Sequence, residues 1–153
     1  AYNLFISNGI LFNHESPRRG TNFVTAKVVQ GALKIKSGKI KHLELGNLDS
    51  YRDWGHSYDY TRAMLLLLKH DSPEDIVISS GEARSVRDLC EIVFKKLDMD
   101  YKEYVKVNEK FIRPEELPYL RGDCTKGKKL LGWKPKYNFE TLIEEMIDHI
   151  SKN

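Results

Sequence analysis

Short apolar segments typical of strands alternate along this chain with longer segments whose apolar residues recur at helical spacing. Residues 3–13 are rich in Ile, Leu and Phe and predict a strand. Residues 22–36 then place apolar side chains on one helical stripe, and Gly38 ends it. A chain in which strands and helices alternate is typical of the α/β class, so we predict an α/β fold.

The remaining predicted elements continue this alternation. Ser85 and Asp88 have the spacing of a capping box, which marks the beginning of a helix. At most two elements of a parallel sheet are recognisable, so a complete three-layer dinucleotide-binding domain is not expected. The further elements are, in chain order, a strand at 42–45, a helix at 57–70, a strand at 75–79 and helices at 86–97 and 139–150.

Composition and charge exclude several kinds of protein. The 153 residues, 41% of them apolar, are enough for one core, so one domain is the simplest expectation. Lys and Arg (25) nearly balance Asp and Glu (22) without any basic block, so nucleic acid is not an expected partner. No apolar run reaches the roughly 18 residues that cross a bilayer. No signal peptide is recognisable, and Cys90 and Cys124 form no Cys-x-x-Cys pair, so we expect a cytoplasmic protein with no membrane partner.

Motifs that carry dinucleotide or metal chemistry are not found in the chain. There is no Gly-x-Gly-x-x-Gly or Gly-x-x-Gly-x-x-Gly turn, and no Tyr is followed by a Lys four positions later. There is also no His-rich spacing of the kind that holds a metal ion. We therefore predict no catalytic residue and no metal site among these residues.

Polar side chains with ligand-binding chemistry concentrate in a few short segments. His14 follows the first predicted strand, and ligands bind at strand ends in open α/β sheets. Arg52 and Arg113 each lie near an acidic residue, and such a pair can bind a phosphate and a sugar hydroxyl. Alternatively, Arg52–Asp53 and Arg113–Glu116 are structural ion pairs, and His14 is a satisfied turn residue. The residues by themselves leave both interpretations open.

Five segments, in this order along the chain, carry a specific resemblance to a known family. They are Asn8–Gly20 (NGILFNHESPRRG), Phe23–Thr25, Leu45–Tyr60 (LGNLDSYRDWGHSYDY), Arg113–Asp123 (RPEELPYLRGD) and Thr125–Pro135. They resemble the GDP-mannose 4,6-dehydratases of the extended short-chain dehydrogenase/reductase family. Since the segments cover nearly the whole chain, the resemblance extends beyond a single motif.

The resemblance implies that residues 1–153 are the C-terminal half of such an enzyme. This half would contain the last strands of an NADP-binding Rossmann-type fold and the sugar-nucleotide-binding domain. The N-terminal dinucleotide-binding part, with the family's catalytic Tyr and Lys, would be absent. Enzymes of this family are lyases of GDP-fucose biosynthesis, which convert GDP-mannose to GDP-4-keto-6-deoxymannose with bound NADP. The 153 residues alone are therefore expected to be inactive.

Position by position, the resemblance also implies binding residues. His14 and Arg19 match the family's contacts with NADP. Two departures from the family pattern are Ala26, in place of an Arg, and Tyr58, in place of a Lys; either could weaken affinity or alter oligomer contacts. The positions that match contacts with GDP-mannose are Asn13 at the strand end, Phe23, Val24 and Lys27 in the pocket lining, Gly46 and Asn47 at the guanine, Arg52 and Arg113 at the diphosphate and ribose, and Glu116 at a ribose hydroxyl.

The implied partners leave two alternatives. GDP-mannose is the expected substrate, and the full-length enzyme is expected to be a homo-oligomer, either a dimer or a tetramer. The first alternative is another sugar-nucleotide epimerase or decarboxylase of the same scaffold, acting on a UDP-sugar. The second is a non-catalytic nucleotide-sugar-binding module. The relative affinity for GDP and UDP distinguishes the dehydratase from the first alternative, and product formation distinguishes it from the second.

Overall fold

Six α-helices and eight short β-strands make up the part of the chain that the computed structural model describes, residues 2–112 and 114–152. The strands are β1 Gly9–Leu11, β2 Asn13–Glu15, β3 Leu43–Leu45, β4 Tyr51–Arg52, β5 Trp54–His56, β6 Ile76–Ile78, β7 Arg84–Ser85 and β8 Val105–Val107. The helices are α1 Val24–Lys36, α2 Ser57–Leu68, α3 Val86–Lys96, α4 Tyr101–Tyr104, α5 Thr125–Leu131 and α6 Phe139–Ser151, and a 3-10 turn covers Glu109–Phe111. The predicted α/β class is confirmed.

The strands pair two by two within the described residues. β1 pairs with β6, β2 with β5 and β3 with β8, all in parallel, whereas β4 and β7 are antiparallel. The expectation of at most two parallel elements was wrong, because six strands lie in parallel pairs. The predicted strands at 42–45 and 75–79 correspond to β3 and β6. β4, β5, β7 and β8 were not predicted, because strands of two or three residues show little of the alternation by which a strand is recognised in a sequence.

The first predicted strand, residues 3–13, is shorter than expected and changes its partner. Residues 2–8 lie outside regular strands, and Leu4 and Ile6 are exposed. At Phe12 the pairing partner changes from β6, which pairs with β1, to β5, which pairs with β2. The Phe12 N–H still donates to the Ile78 carbonyl at 3.0 Å. An apolar run carries no signal for this change of partner, which places Asn13 at the point where the chain leaves β6.

The helices lie close to their predicted bounds. α3 begins at the predicted capping box, in which the Ser85 hydroxyl accepts from the Asp88 N–H and the Asp88 carboxylate accepts from the Ser85 N–H. The apolar stripes of α3 and α6 are buried against α1 in one core, and Tyr60 and Trp133 lie in a second core with β6. Each large apolar side chain buried in this way stabilises the fold by about 1.5–3 kcal/mol. α1 is therefore held firmly between α3 and α6.

Candidate functional site

A cleft of about 610 Å³ opens between the N-terminus of α1, the loop after β3, strand β4 and the 3-10 turn. Eight of the nine residues that the resemblance matches to GDP-mannose contacts line it, and the ninth, Arg113, lies outside the described residues. The eight are Asn13, Phe23, Val24, Lys27, Gly46, Asn47, Arg52 and Glu116. The fold thus brings distant parts of the chain to one site.

The pairing of β3 with β8 explains why the loop after β3 and the 3-10 turn meet at the cleft. The two strands run parallel with Leu45 opposite Val107, so the segments that follow them leave the sheet side by side. The Asn108 N–H donates to the Leu45 carbonyl at 2.8 Å and holds the second segment against the first. The loop that begins at Gly46 and the 3-10 turn consequently face each other across the cleft.

Arg52 forms the central charged contact of the cleft. Its Nη2 lies 3.0 Å from Glu116 Oε1, and its Nη1 donates to the carbonyls of Tyr51 and Leu117 at 2.7 and 2.8 Å. The alternative pairing of Arg52 with Asp53 was therefore wrong. Successive side chains of an extended segment point to opposite sides, so the Asp53 carboxylate turns away into the interior. The other proposed pair, Arg113–Glu116, includes a residue outside the described part.

Phe111 covers one side of the cleft. Lys27 Nζ lies 4.3 Å from the centre of the Phe111 ring, a cation–π distance. A Cβ atom added to Gly46 would lie 2.4 Å from the Phe111 carbonyl oxygen, so the two backbones are in direct contact. Only glycine at position 46 permits this close approach.

Replacing Gly46 by alanine should therefore displace the 3-10 turn and distort the cleft. We expect the free energy of unfolding to fall by about 1–3 kcal/mol, the usual cost of overpacking. Affinity for GDP, measured by titration calorimetry, should fall with it. Gly9→Ala is the control, because its added Cβ would make ordinary contacts of 3.5 Å or more. Wild-type affinity in the Gly46→Ala variant would contradict the close packing.

His14 lies beside the cleft, on β2, and is not among the residues that line it. Its Nδ1 lies 2.9 Å from the Phe12 carbonyl. Because a carbonyl can only accept, Nδ1 carries the proton and Nε2 is left as an acceptor. The ring also packs on Tyr60 with 5.0 Å between centroids. Burial raises the pKa of the Tyr60 hydroxyl above its ordinary value, so this neighbour remains uncharged.

Arg19 is the second residue beside the cleft. Its guanidinium lies 3.4 Å from the centre of the Phe23 ring, and Phe23 itself lines the cleft. Its Nε is 3.0 Å from Glu15 Oε2, a charge pair without hydrogen-bond alignment. Burial raises the pKa of Glu15, whereas the hydrogen bond from Thr25 and the charge of Arg19 act in the opposite direction. Glu15 therefore anchors Arg19 from inside the protein.

Sequence reasoning missed several residues of the cleft. Ser50 stands within a matching segment, but serine is common in loops and carried no signal of its own. Phe111 follows β8, which was not recognised as a strand, and so its position could not be predicted. The two departures from the family pattern, Ala26 and Tyr58, do not line the cleft. The missed residues are Asn22, Leu45, Ser50, Val86, Lys110, Phe111, Ile112 and Pro114.

Within residues 2–112 and 114–152, no group of three or more His, Cys, Asp or Glu side chains is arranged to hold a metal ion. None of the helices in this part is long and apolar enough to cross a membrane.

Comparison with known proteins identifies relatives along nearly the whole chain. The family model described as GDP-mannose 4,6 dehydratase matches residues 1–146. The human protein named GDP-mannose 4,6 dehydratase is 47% identical over 164 residues, covering 96% of this chain and 44% of the human protein. GDP-mannose 4,6 dehydratase 2 of Arabidopsis thaliana is 46% identical over 148 residues, covering 97% of this chain and 40% of that protein.

Solved structures share the fold at lower sequence identity. RMD from Pseudomonas aeruginosa, complexed with NADPH, superposes with a TM-score of 0.85 at 23% identity, over 94% of this chain and 48% of that one. A dTDP-glucose 4,6-dehydratase from Bacillus anthracis, in complex with NAD, gives a TM-score of 0.86 at 23% identity, over 99% of this chain and 46% of that one.

The extent and the identity of these matches decide the family. The chain spans less than half the length of the curated relatives named here, while those relatives cover almost all of the chain. The matched residues include the segments that form the cleft. This chain belongs to the GDP-mannose 4,6-dehydratase family.

Proposed function

We propose that this chain supplies the nucleotide-sugar-binding part of a GDP-mannose 4,6-dehydratase, a lyase that converts GDP-mannose to GDP-4-keto-6-deoxymannose. The observation that carries the proposal is the cleft, which gathers the residues matched to GDP-mannose contacts in a chain of this family. The chemistry of its walls suits the parts of a nucleoside diphosphate sugar.

The diphosphate would lie between Arg52 and the N-terminus of α1. Three N–H donors of the Arg52 guanidinium are bonded within the described residues, and the remaining donors are free for a phosphate oxygen. α1 has no side-chain cap at Phe23 and no acidic residue in its first turn. Its free backbone N–H groups and its dipole favour an anion at this end.

The ribose and the base would occupy the side of the cleft formed by Glu116 and the loop after β3. Glu116 uses Oε1 for Arg52, so Oε2 can accept from a ribose hydroxyl. The side-chain oxygen of Asn47 already accepts from the Asp49 N–H at 2.9 Å. Its amide group is therefore free to donate to an acceptor on the guanine edge.

His14 and Arg19 would hold the cofactor, which we propose to be NADP. The residues fit such a group: Nε2 of His14 is free to accept, and the two terminal nitrogens of Arg19 make no hydrogen bond within the described residues. A nicotinamide dinucleotide, when bound, takes a hydride from the sugar and returns it. One solved relative in fold was crystallised with NADPH and another with NAD, which supports a nicotinamide cofactor.

The catalytic groups and the rest of the cofactor site would come from a dinucleotide-binding half outside residues 1–153. Leu4, Phe5, Ile6 and Ile10 are exposed along β1 and the segment before it, and packing against that half would cover them. We accordingly propose that the chain alone is inactive. The complete protein would be a cytoplasmic homo-oligomer, either a dimer or a tetramer.

Titration calorimetry with GDP-mannose, GDP, UDP-glucose and dTDP-glucose tests the proposal on this chain. We expect GDP-mannose and GDP to bind and both other sugar nucleotides to bind at least about tenfold more weakly, a difference of about 1.4 kcal/mol. Equal or tighter binding of UDP-glucose would favour the epimerase or decarboxylase alternative. A polypeptide that joins this chain to its dinucleotide-binding half should then dehydrate GDP-mannose in the presence of NADP. Binding without product would favour a non-catalytic module.

A further inference from the structure

One hydroxyl in the wall of the cleft has no hydrogen-bond partner among the residues that the structure describes. Ser50 stands directly before β4 and lines the cleft, and its side chain is buried, with 1% of the residue exposed. Its Oγ makes no hydrogen bond within the described residues. Buried hydroxyls are normally hydrogen-bonded, because an unmade bond in the interior is costly. An orphan hydroxyl beside an open cleft therefore points to a ligand atom as its missing partner.

The backbone around Ser50 is held on both sides. The Ser50 carbonyl accepts from the Val86 N–H, the first residue of α3, at 3.1 Å. The Tyr51 N–H donates to the Pro118 carbonyl at 2.8 Å, and the Tyr51 carbonyl accepts from the Leu120 N–H at 3.1 Å. With its backbone held in place, Ser50 can redirect its hydroxyl only by rotation of the side chain. The open space beside it is the cleft.

We propose that the Ser50 hydroxyl is a binding residue that donates a hydrogen bond to a phosphate oxygen of the nucleoside diphosphate. This inference rests on the proposed function of the cleft and adds a contact to it. Ser50 lies in the chain between Asn47, which faces the base in that proposal, and Arg52, which faces the diphosphate. The positive charge of Arg52 and of the other cationic side chains that line the cleft makes an anionic oxygen the favoured acceptor. A hydrogen bond to a charged acceptor is also stronger than one to a neutral acceptor.

Ser79 provides a matched control within the same chain. Its hydroxyl is also completely buried, and it too makes no hydrogen bond within residues 2–112 and 114–152. It lies after β6 against Gly122, where a Cβ atom on that glycine would come within 2.4 Å of it, and it does not line the cleft. The two serines therefore share burial and the lack of a partner, and they differ in access to the cleft.

The test compares Ser50→Ala and Ser79→Ala by titration calorimetry with GDP and with GDP-mannose. Ser50→Ala should weaken both ligands by about tenfold to hundredfold, the usual worth of a hydrogen bond to a charged group. Ser79→Ala should stay within about twofold of wild type. The melting temperature without ligand should not fall in Ser50→Ala, since the removed hydroxyl has no partner to lose. Ser50→Cys, whose thiol is a weak donor of similar size, carries the same expectation if the alanine variant folds poorly.

Three results would overturn the inference. Wild-type affinity of Ser50→Ala for GDP would show that the hydroxyl does not touch the nucleotide. A loss seen with GDP-mannose but not with GDP would place it at the hexose. If the wild-type chain binds neither ligand, the proposed function itself fails, and the inference fails with it. That last result is read from the wild-type titration alone, so the two failures are distinguishable.

Discussion

Replacing Arg52 by alanine should weaken binding of GDP-mannose by about 30-fold to 1,000-fold, or about 2–4 kcal/mol. The guanidinium is mostly buried beside Glu116, so its removal leaves the carboxylate unpaired as well as removing the donors that would meet the diphosphate. Arg52→Lys should recover only part of the loss, because an ammonium group cannot reproduce the planar arrangement of donors. Titration calorimetry with GDP and GDP-mannose measures both variants.

Arg87→Ala is the matched control for this prediction. Arg87 is paired with Asp49 at 2.8 Å in the same region, but it is exposed and does not line the cleft. Its removal should change the affinity by less than about twofold, as expected of an exposed ion pair. If Arg52→Ala bound GDP-mannose as tightly as Arg87→Ala, Arg52 would have to be regarded as a structural partner of Glu116.

Replacing Asp53 by alanine should lower the free energy of unfolding by about 3–5 kcal/mol. The buried carboxylate accepts from the Ser80 N–H at 2.8 Å, the Ser80 hydroxyl at 2.7 Å, the Gly81 N–H at 2.9 Å and the Gly122 N–H at 3.2 Å. Its removal would leave backbone donors of two separate loops unsatisfied. Urea unfolding measures the change as a lower midpoint with an unaltered slope.

Asp49→Ala tests whether the effect belongs to this site or to any aspartate of the segment. The Asp49 carboxylate is 71% exposed, so its loss should cost at most about 1 kcal/mol. Asp53→Asn should fall between the two, because an amide keeps one accepting oxygen but turns a donor toward other donors. A cost below 1 kcal/mol for Asp53→Ala would contradict the hydrogen-bonding arrangement described here.

Local signals predicted the long helices and the strands β3 and β6 well, but they gave no sign of β4, β5, β7 and β8. The stripes of α3 and α6 extend over three turns, and their buried faces agree with the predicted spacing. Strands β4, β7 and β8 have two or three residues each, too few for any periodic pattern to appear. The error at residues 3–13 has a related cause, since an apolar run shows that a segment can pair but not with which strand.

The candidate site was likewise predictable in part: its motif residues were indicated by the sequence, whereas the contacts between them were not. Motif resemblance indicated the residues that the fold gathers in one cleft, because such segments keep their residue types in order along the chain. It gave no indication that Arg52 would pair with Glu116, 64 positions away. The residues alone had offered the neighbouring Asp53 as the alternative partner. The resemblance also passed over Ser50 and Phe111, whose positions depend on which strands and turns meet.

The sequence by itself determined the α/β class, the amphipathic helices, the capping box at Ser85 and the family, because all of these depend on residues that are close together or in fixed order along the chain. The tertiary structure alone decided the partner of Arg52, the inward turn of Asp53, the contact of Gly46 with Phe111 and the orphan hydroxyl of Ser50. The physical reason is that hydrogen bonds and steric contacts act over a few ångströms in space, between residues whose separation along the chain has no fixed relation to that distance.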